Sequence, residues 1–116
     1  MGDSKEKIQK NYQVRITEYA YQNIDDITSY IAFINHQPLN PIKVGDAIFE
    51  TIERIGQNPF AYKECEEIPT IKKIYRKAVC MSWLVIYRIK ADEIIIIGIL
   101  HASRRPSKVK QLRNIK

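Results

Sequence analysis

The stretch "SWLVIYRIKADEIIIIGIL" (residues 82–100) predicts two β-strands joined by a tight turn. Residues 82–89 and 93–100 are rich in β-branched and aromatic side chains, which favour strands. The polar residues 90–93 between them predict the hairpin turn. The four consecutive isoleucines of the second strand are typical of a buried strand.

Two further strands are predicted outside this pair. Residues 71–76 ("IKKIYR") also combine β-branched and aromatic side chains, and residues 77–81 ("KAVCM") would form a turn that leads into the pair. Residues 12–16 ("YQVRI") alternate apolar and polar side chains, which is the period of a strand.

The apolar residues between these outer strands recur with the period of two amphipathic helices. The first helix is predicted over residues 18–35 with Thr17 as its cap, and the second over residues 41–55 with Asn40 as its cap. Because only a short loop joins them, the two helices should form an antiparallel hairpin. Their apolar stripes consist of Ala20, Ile24, Ile27, Ile31 and Ile34, and of Val44, Ile48, Thr51, Ile52 and Ile55.

The predicted order of elements is β-α-α-β-β-β. We expect an α+β fold in which the helix hairpin packs on one face of a mainly antiparallel four-stranded sheet, with the other face partly open. A chain of 116 residues has room for one domain. We place this domain at residues 12–106, after a flexible N-terminal segment (1–11) and before a basic C-terminal tail (107–116) that becomes ordered only with a partner.

The net charge of +6 is unevenly distributed along the chain. Residues 1–70 hold 7 basic and 11 acidic residues, whereas residues 71–116 hold 12 basic and 2 acidic residues. A half with a net charge of +10 attracts polyanions such as nucleic acid or an acidic protein segment. The alternative is a solvated basic surface without a partner.

The sequence favours a cytoplasmic protein. No apolar run approaches the roughly 18–20 residues needed to span a membrane, and the polar N-terminus does not resemble a secretory signal. We expect Cys65 and Cys80 to be free thiols in a reducing compartment, with a disulfide between them as the alternative. Since no Gly-rich phosphate loop or Cys/His cluster is present, no cofactor or metal is expected.

His101, Arg104 and Arg105 directly follow the last predicted strand. The histidine could act as a general acid or base near neutral pH, and the arginines could pair with phosphate or carboxylate oxygens. Alternatively, His101 hydrogen-bonds a neighbouring backbone group and holds the turn. Trp83 could be a base-stacking platform, although we expect it in the core.

The order and spacing of these segments resemble the RelE/ParE family of bacterial toxins. The resemblance covers residues 12–105, and it rests on four stretches that follow the first strand: "EYAYQNIDDITSYIAF", "NPIKVGDAIFETIERIGQNP", "IYRKAVCMSWLVIYRI" and "IIIIGILHASRRP". Family members are toxins of type II toxin–antitoxin modules, also called plasmid stabilization proteins, and they arrest growth. The resemblance implies a cognate antitoxin that silences this chain, and a homodimer or a heterotetramer with that antitoxin.

The family has two functional branches. ParE-like members bind DNA gyrase and trap it on DNA, whereas RelE-like members cut messenger RNA on the ribosome without a metal. Arg104 matches the arginine that follows the last strand in RelE-type sites. However, Leu84 stands where those sites have an arginine, and Lys110 lies near the position of their C-terminal tyrosine. We therefore expect a ParE-like gyrase inhibitor, with a RelE-like ribosome-dependent endoribonuclease or a diverged family member as the alternatives.

Both branches would use the basic half of the chain. If the chain is a nuclease, its catalytic residues would be His101, Arg104 and Arg76. In either branch, the residues expected to contact the antitoxin and the target are Lys72, Arg76, Lys77, His101, Arg104, Arg105 and Lys108.

Overall fold

The computed structural model describes residues 12–34 and 40–116. The predicted flexible segment 1–11 lies outside the described residues. In chain order, the elements are β1 (Gln13–Ile16), α1 (Glu18–Ile34), α2 (Pro41–Gln57), a 3₁₀ turn (Pro59–Ala61), β2 (Lys63–Glu64), β3 (Tyr75–Cys80), β4 (Trp83–Lys90), β5 (Glu93–His101), α3 (Pro106–Lys110) and a second 3₁₀ turn (Gln111–Asn114).

The strands form one sheet in the order β1-β5-β4-β3-β2. β1 runs parallel to β5, and the other neighbours are antiparallel. The α+β class and the mainly antiparallel sheet are therefore confirmed, but the sheet has five strands instead of the predicted four. The additional strand, β2, is only two residues long and pairs with Lys77 and Arg76 of β3.

The predicted position of β3 is wrong by four residues. We expected a strand at 71–76 and a turn at 77–81, whereas the strand runs from Tyr75 to Cys80. Lys73 has a φ of 54°, in the left-handed region that a strand does not use. The reversal into β4 occurs at Met81, whose φ is 56°.

Both helices begin at their predicted caps. Thr17 Oγ1 accepts a hydrogen bond from the backbone N–H of Ala20 (3.0 Å). Asn40 Oδ1 accepts hydrogen bonds from the N–H groups of Ile42 (2.9 Å) and Lys43 (3.2 Å), and Pro41 follows as the first helical residue. These side chains satisfy N–H groups that have no partner within the helix.

The helix hairpin packs on one face of the sheet, which we call the helix-covered face. The side chains of Ile24, Ile31, Val44 and Ile48 are at most 5 % exposed, so the predicted stripes are confirmed at these positions. The sheet contributes buried residues to the same cluster: Trp83, Val85, Tyr87, Ile89, Ile94, Ile96 and Ile99. Trp83 therefore belongs to the core, as expected.

A β-bulge in β5 interrupts the regular alternation of its side chains between the two faces of the sheet. Ile86 of β4 pairs with Gly98, while Tyr87 pairs with Ile96, so Ile97 is one extra residue in β5. As a result, Ile96 and Ile99 both belong to the helix-covered face, and Ile97 belongs to the opposite face.

The opposite face is not open, which corrects our expectation. A second cluster of buried residues lies there, formed by Cys65, Ile68, Ile86, Ile95, Ile97, Leu100, Val109 and Leu112. The segment expected to be a disordered tail supplies two of them, since Val109 and Leu112 are 3 % and 2 % exposed. These residues are three positions apart, so one helical turn brings both onto the sheet. We call this surface the C-terminal-covered face.

Two other features bear on the sequence expectations. Cys65 and Cys80 are both buried as free thiols. Among residues 12–34 and 40–116, no helix is both long enough and apolar enough to cross a membrane.

Candidate functional site

A cleft of about 290 Å³ lies at the carboxyl end of β5, between α1, the start of β4 and the residues that follow β5 (102–116), which we call the C-terminal segment. We call it the β5 cleft. Three of the predicted site residues line it, namely His101, Arg104 and Lys108. From α1 it receives the polar side chains of Tyr19, Gln22, Asn23 and Asp26.

His101 is held by its own turn. Its Nδ1 accepts a hydrogen bond from the backbone N–H of Ser103 (3.1 Å) and lies 2.8 Å from Ser103 Oγ. Its ring meets the ring of Trp83 edge-on, with 6.0 Å between the centroids. The alternative that His101 hydrogen-bonds the neighbouring backbone is therefore confirmed. Because Nδ1 is an acceptor, Nε2 is the ring nitrogen that remains available to a ligand.

The α1 wall of the β5 cleft is anchored to the strand. Asn23 Oδ1 accepts a hydrogen bond from the N–H of Ile99 (2.9 Å). On the same helix, Gln22 Nε2 donates to Asp26 Oδ1 (2.9 Å). These contacts fix a carboxylate and two amides opposite the cations of the C-terminal segment, so the β5 cleft is polar and carries both signs of charge.

Arg104 and Arg105 have different surroundings although they are adjacent in sequence. Arg104 lines the β5 cleft, and its backbone N–H donates to His101 O (2.9 Å). Arg105 is the N-cap residue of α3 and is exposed. The two guanidinium groups can therefore contact different parts of a protein partner.

Arg76, the third catalytic candidate, lies elsewhere. Its guanidinium donates to the carbonyl oxygens of Tyr62 (2.9 Å) and Lys73 (3.1 Å), and it lies 5.1 Å from the centre of the Phe60 ring. Arg76 therefore braces the loops on either side of β2.

The strand register separates Arg76 from His101. Arg76 pairs with Tyr87 of β4, whereas His101 pairs with Trp83. Four residues of strand separate those partners by about 13 Å. The structure therefore does not bring the three catalytic candidates together.

Three of the residues expected to contact a partner, Lys72, Arg76 and Lys77, do not form a single site either. Lys77 is on the C-terminal-covered face, where its Nζ lies 3.5 Å from Oε1 of Glu67. Cys65 Sγ contacts the same carboxylate at 3.5 Å. Burial, followed by the charge of Glu67, raises the pKa of the Cys65 thiol to about 11. Lys72 is exposed in the loop before β3.

Sequence reasoning missed the α1 residues of the β5 cleft. Tyr19, Asn23 and Asp26 are four and three residues apart, so they share one side of α1 next to the apolar stripe. That spacing was visible in the sequence. Their position beside His101 was not, because it depends on the pairing of β1 with β5. Within the described part of the chain, no three His, Cys, Asp or Glu side chains are placed to bind one metal ion.

These elements form the fold that is shared by the RelE and ParE proteins. The model of the family described as "ParE toxin of type II toxin-antitoxin system, parDE" matches residues 14–106. The chain therefore belongs to the ParE toxin family, and it is the toxin of a type II toxin–antitoxin system. No curated protein sequence matches the chain.

Two solved structures share the fold. A chain of the chromosomal ParDE TA system from P. aeruginosa superposes with a TM-score of 0.62 at 18 % identity, covering 78 % of this chain and 96 % of that one. A chain of the toxin–antitoxin complex RelBE2 from Mycobacterium tuberculosis superposes with a TM-score of 0.56 at 18 % identity, covering 79 % of this chain and 92 % of that one.

Proposed function

We propose that this toxin is ParE-like: it inhibits DNA gyrase by binding it, and a cognate antitoxin silences it. The observation that carries the proposal is the aliphatic surrounding of Leu84, which pairs with Leu100 at the end of the C-terminal-covered face next to the β5 cleft. A RelE-type nuclease needs an arginine at the position of Leu84, and here Leu84 packs against the buried cluster of that face.

The C-terminal segment supports the same reading. Val109 and Leu112 cover the sheet next to Leu100, so the end of this face around Leu84 presents aliphatic groups where a nuclease would need an arginine. A Cβ at Gly98 would lie 3.0 Å from Cδ2 of Leu112, which reflects how closely the segment approaches the strand. Stabilising a crowded phosphate in a transition state requires preorganised donors, and aliphatic side chains cannot supply them.

The separation of the candidate catalytic residues also argues for binding over cleavage. A general acid or base must reach the atom whose proton it transfers while other groups hold the phosphate. His101 and Arg104 share the β5 cleft, but Arg76 is occupied by backbone carbonyls far from it. Inhibition through contact needs only an exposed surface, which His101, Arg104, Arg105 and Lys108 provide.

An antitoxin partner is supported by the family and by a structural neighbour that is a toxin–antitoxin complex. The basic half of the chain attracts an acidic antitoxin segment, so association should be salt-dependent. At physiological ionic strength, the reach of surface charges is roughly 8 Å. Both interactions would take place in the cytoplasm.

The test uses purified toxin in two assays: gyrase with supercoiled DNA, and translating ribosomes with messenger RNA. We expect gyrase inhibition and intact transcripts. Removing both arginines (Arg104→Gln with Arg105→Gln) should weaken inhibition by about tenfold, since charge-assisted hydrogen bonds are lost. A matched control, Lys43→Gln with Arg54→Gln on α2, removes the same charge and should change inhibition less than twofold.

His101→Gln separates the two branches. In a gyrase inhibitor it should weaken inhibition by no more than about threefold, because His101 would be one of several surface contacts and glutamine keeps a polar side chain there. In a nuclease it should reduce cleavage by roughly 10²- to 10⁴-fold, the usual contribution of a general acid or base. Transcript cleavage that depends on His101, together with unaffected gyrase, would reject the proposal in favour of the RelE-like alternative.

A further inference from the structure

A second cleft lies on the C-terminal-covered face, at the opposite end of β4 from His101. Its volume is about 370 Å³. Arg88, which pairs with Ile95 of β5, lies in this cleft, five residues along β4 from Trp83. The C-terminal segment forms one wall through Arg113, Ile115 and Lys116. We call it the cationic cleft.

The charge of this cleft has one sign. Its cations come from three parts of the fold: Arg15 in β1, Arg88 and Lys90 in β4, and Arg113 and Lys116 near the C-terminus. No acidic side chain of the described residues lines it. Glu93 lies beside it and pairs with Arg15 Nε at 3.2 Å, which offsets one of the five cations. The cleft therefore retains a strong positive potential.

Arg88 is the most buried of the five cations of the cleft. Its guanidinium lies 5.9 Å from the centre of the Tyr75 ring, and the residue is partly buried between its neighbours. Its Nε is buried, and among residues 12–34 and 40–116 it has no hydrogen-bond acceptor. A buried donor without an acceptor destabilises the folded protein. An anionic group that binds this guanidinium would therefore gain more binding free energy than it would at an exposed arginine.

The floor of the cleft is aliphatic. Ile95 and Ile97 are 4 % and 2 % exposed, and Ile115 packs against the same cluster. Cations above an aliphatic floor match a ligand with a carboxylate next to an aliphatic side chain. The volume of the cleft accommodates a few such side chains.

We infer that the cationic cleft binds an acidic peptide segment that places a carboxylate on Arg88 and an aliphatic side chain on the isoleucine floor. A nucleic-acid strand fits less well, because single strands are held by stacking on aromatic rings. Among the described residues, the only aromatic ring in the lining of this cleft is that of Tyr75, which already has Arg88 over it. The inference rests on the proposed function only for the source of the peptide, which is the antitoxin.

The experiment uses fluorescent peptides that tile the antitoxin encoded beside this chain, each with a twin in which Gln and Asn replace Glu and Asp. Binding to the full chain is followed by anisotropy. We expect at least one acidic peptide to bind and its amide twin to bind much more weakly. In nuclear magnetic resonance spectra, the bound acidic peptide should shift the Nε–H signal of Arg88.

Two substitutions with equal charge change locate the site. Arg88→Met keeps an unbranched stem on Tyr75 and removes the guanidinium, so peptide affinity should fall about 10- to 100-fold. Arg54→Met removes an exposed guanidinium on α2 and should change the affinity less than twofold. If Arg88→Met does not fold, Lys90→Met with Arg113→Met removes two exposed cations of the same cleft and should weaken binding about tenfold.

Equal losses for Arg88→Met and Arg54→Met would overturn the inference, since they would show attraction by net charge alone. Binding of a single-stranded oligonucleotide that depends on Arg88, without binding of any acidic peptide, would also overturn it. Gyrase inhibition is measured on the same proteins without peptide. If the unaltered protein does not inhibit gyrase, the proposed function is refuted. The inference about the cationic cleft is then still decided by the peptide-binding measurements alone.

Discussion

The two faces of the sheet are covered by very different amounts of structure. The helix-covered face carries α1 and α2, which are 17 residues each and begin at side-chain caps. The C-terminal-covered face carries α3, of five residues, and a 3₁₀ turn of four. The first cover is part of the cooperative core. The second is held by few buried side chains, and such segments open locally at low free-energy cost.

The largest expected effect belongs to the helix-covered face. Ile48 is fully buried in α2, so Ile48→Ala should lower the free energy of unfolding by about 3–4 kcal/mol through lost burial and a residual cavity. Urea denaturation measures the loss. Ile42→Ala, on the same helix but 72 % exposed, is the control and should cost less than about 0.5 kcal/mol. If Ile48→Ala lowers the free energy of unfolding by less than about 1 kcal/mol, the helix-covered face is not the main source of stability.

The second effect is a pH dependence of the C-terminal-covered face. The folded state holds the Cys65 proton more tightly than the unfolded chain, because the pKa of the thiol is raised to about 11. Stability from this group is complete below about pH 8 and falls as the pH rises toward 11, by about 2 kcal/mol. Cys65→Ala should flatten that part of the pH profile.

Urea titrations at pH values from 7 to about 11 measure the profile of each variant. Ile68→Ala, which removes an aliphatic group from the same buried cluster, should be less stable but should keep the slope of the unaltered protein. If Cys65→Ala also keeps that slope, the thiol does not contribute to the pH dependence.

The third effect is the release of the C-terminal segment. Leu112→Ala should cost about 1–2 kcal/mol, less than other buried leucines, because the segment can detach before the rest unfolds. Amide exchange should accelerate in residues 106–114 and stay slow in α2. Gln111→Ala, at an exposed neighbour, should change neither. If Leu112→Ala lowers the free energy of unfolding as much as Ile48→Ala does, the covers of the two faces unfold together and the contrast between them is wrong.

The smallest effect concerns the hairpin that both faces share. Ala91 turns the chain between β4 and β5 with a φ of 54°. Glycine adopts this conformation without strain, so Ala91→Gly should gain about 0.5–1 kcal/mol. Ala102→Gly, at an exposed turn position without a positive φ, should not be stabilising. Ile48→Ala and Leu112→Ala lower the free energy of unfolding by different amounts. The difference between these two losses should be the same when Ala91→Gly is also present, because the turn supports both faces.

The helices were predictable because their caps and stripes are local signals. Thr17 and Asn40 mark helix starts within a few residues of sequence, and Ile24 and Ile48 repeat the period of their helices. β2 was not predictable, because Lys63 and Glu64 have no apolar period and become a strand only by pairing with β3. The C-terminal segment was missed because Val109 and Leu112 stand among cations, which suggested a solvated tail.

The bulge and the β5 cleft were partly predictable from the sequence. Gly98 inside a strand of isoleucines is a recognised sign of a bulge, but a glycine alone does not indicate which of the flanking isoleucines share a face. His101, Arg104 and Lys108 were identified by their position after the strand. Asn23 could not be paired with Ile99, because a contact across 76 residues requires the topology.

The parallel pairing of β1 with β5 has a consequence for the protein during its synthesis. Gln13 pairs with Glu93, so the sheet cannot close until 80 further residues have been added. At about 5–20 residues per second, that interval is roughly 4–16 s. During it, α1 and α2 exist without the sheet that covers Ile31 and Val44. The nascent toxin therefore passes through a stage with an exposed aliphatic surface, and it acquires the β5 cleft only after Arg104, Lys108 and Gln111 have been added.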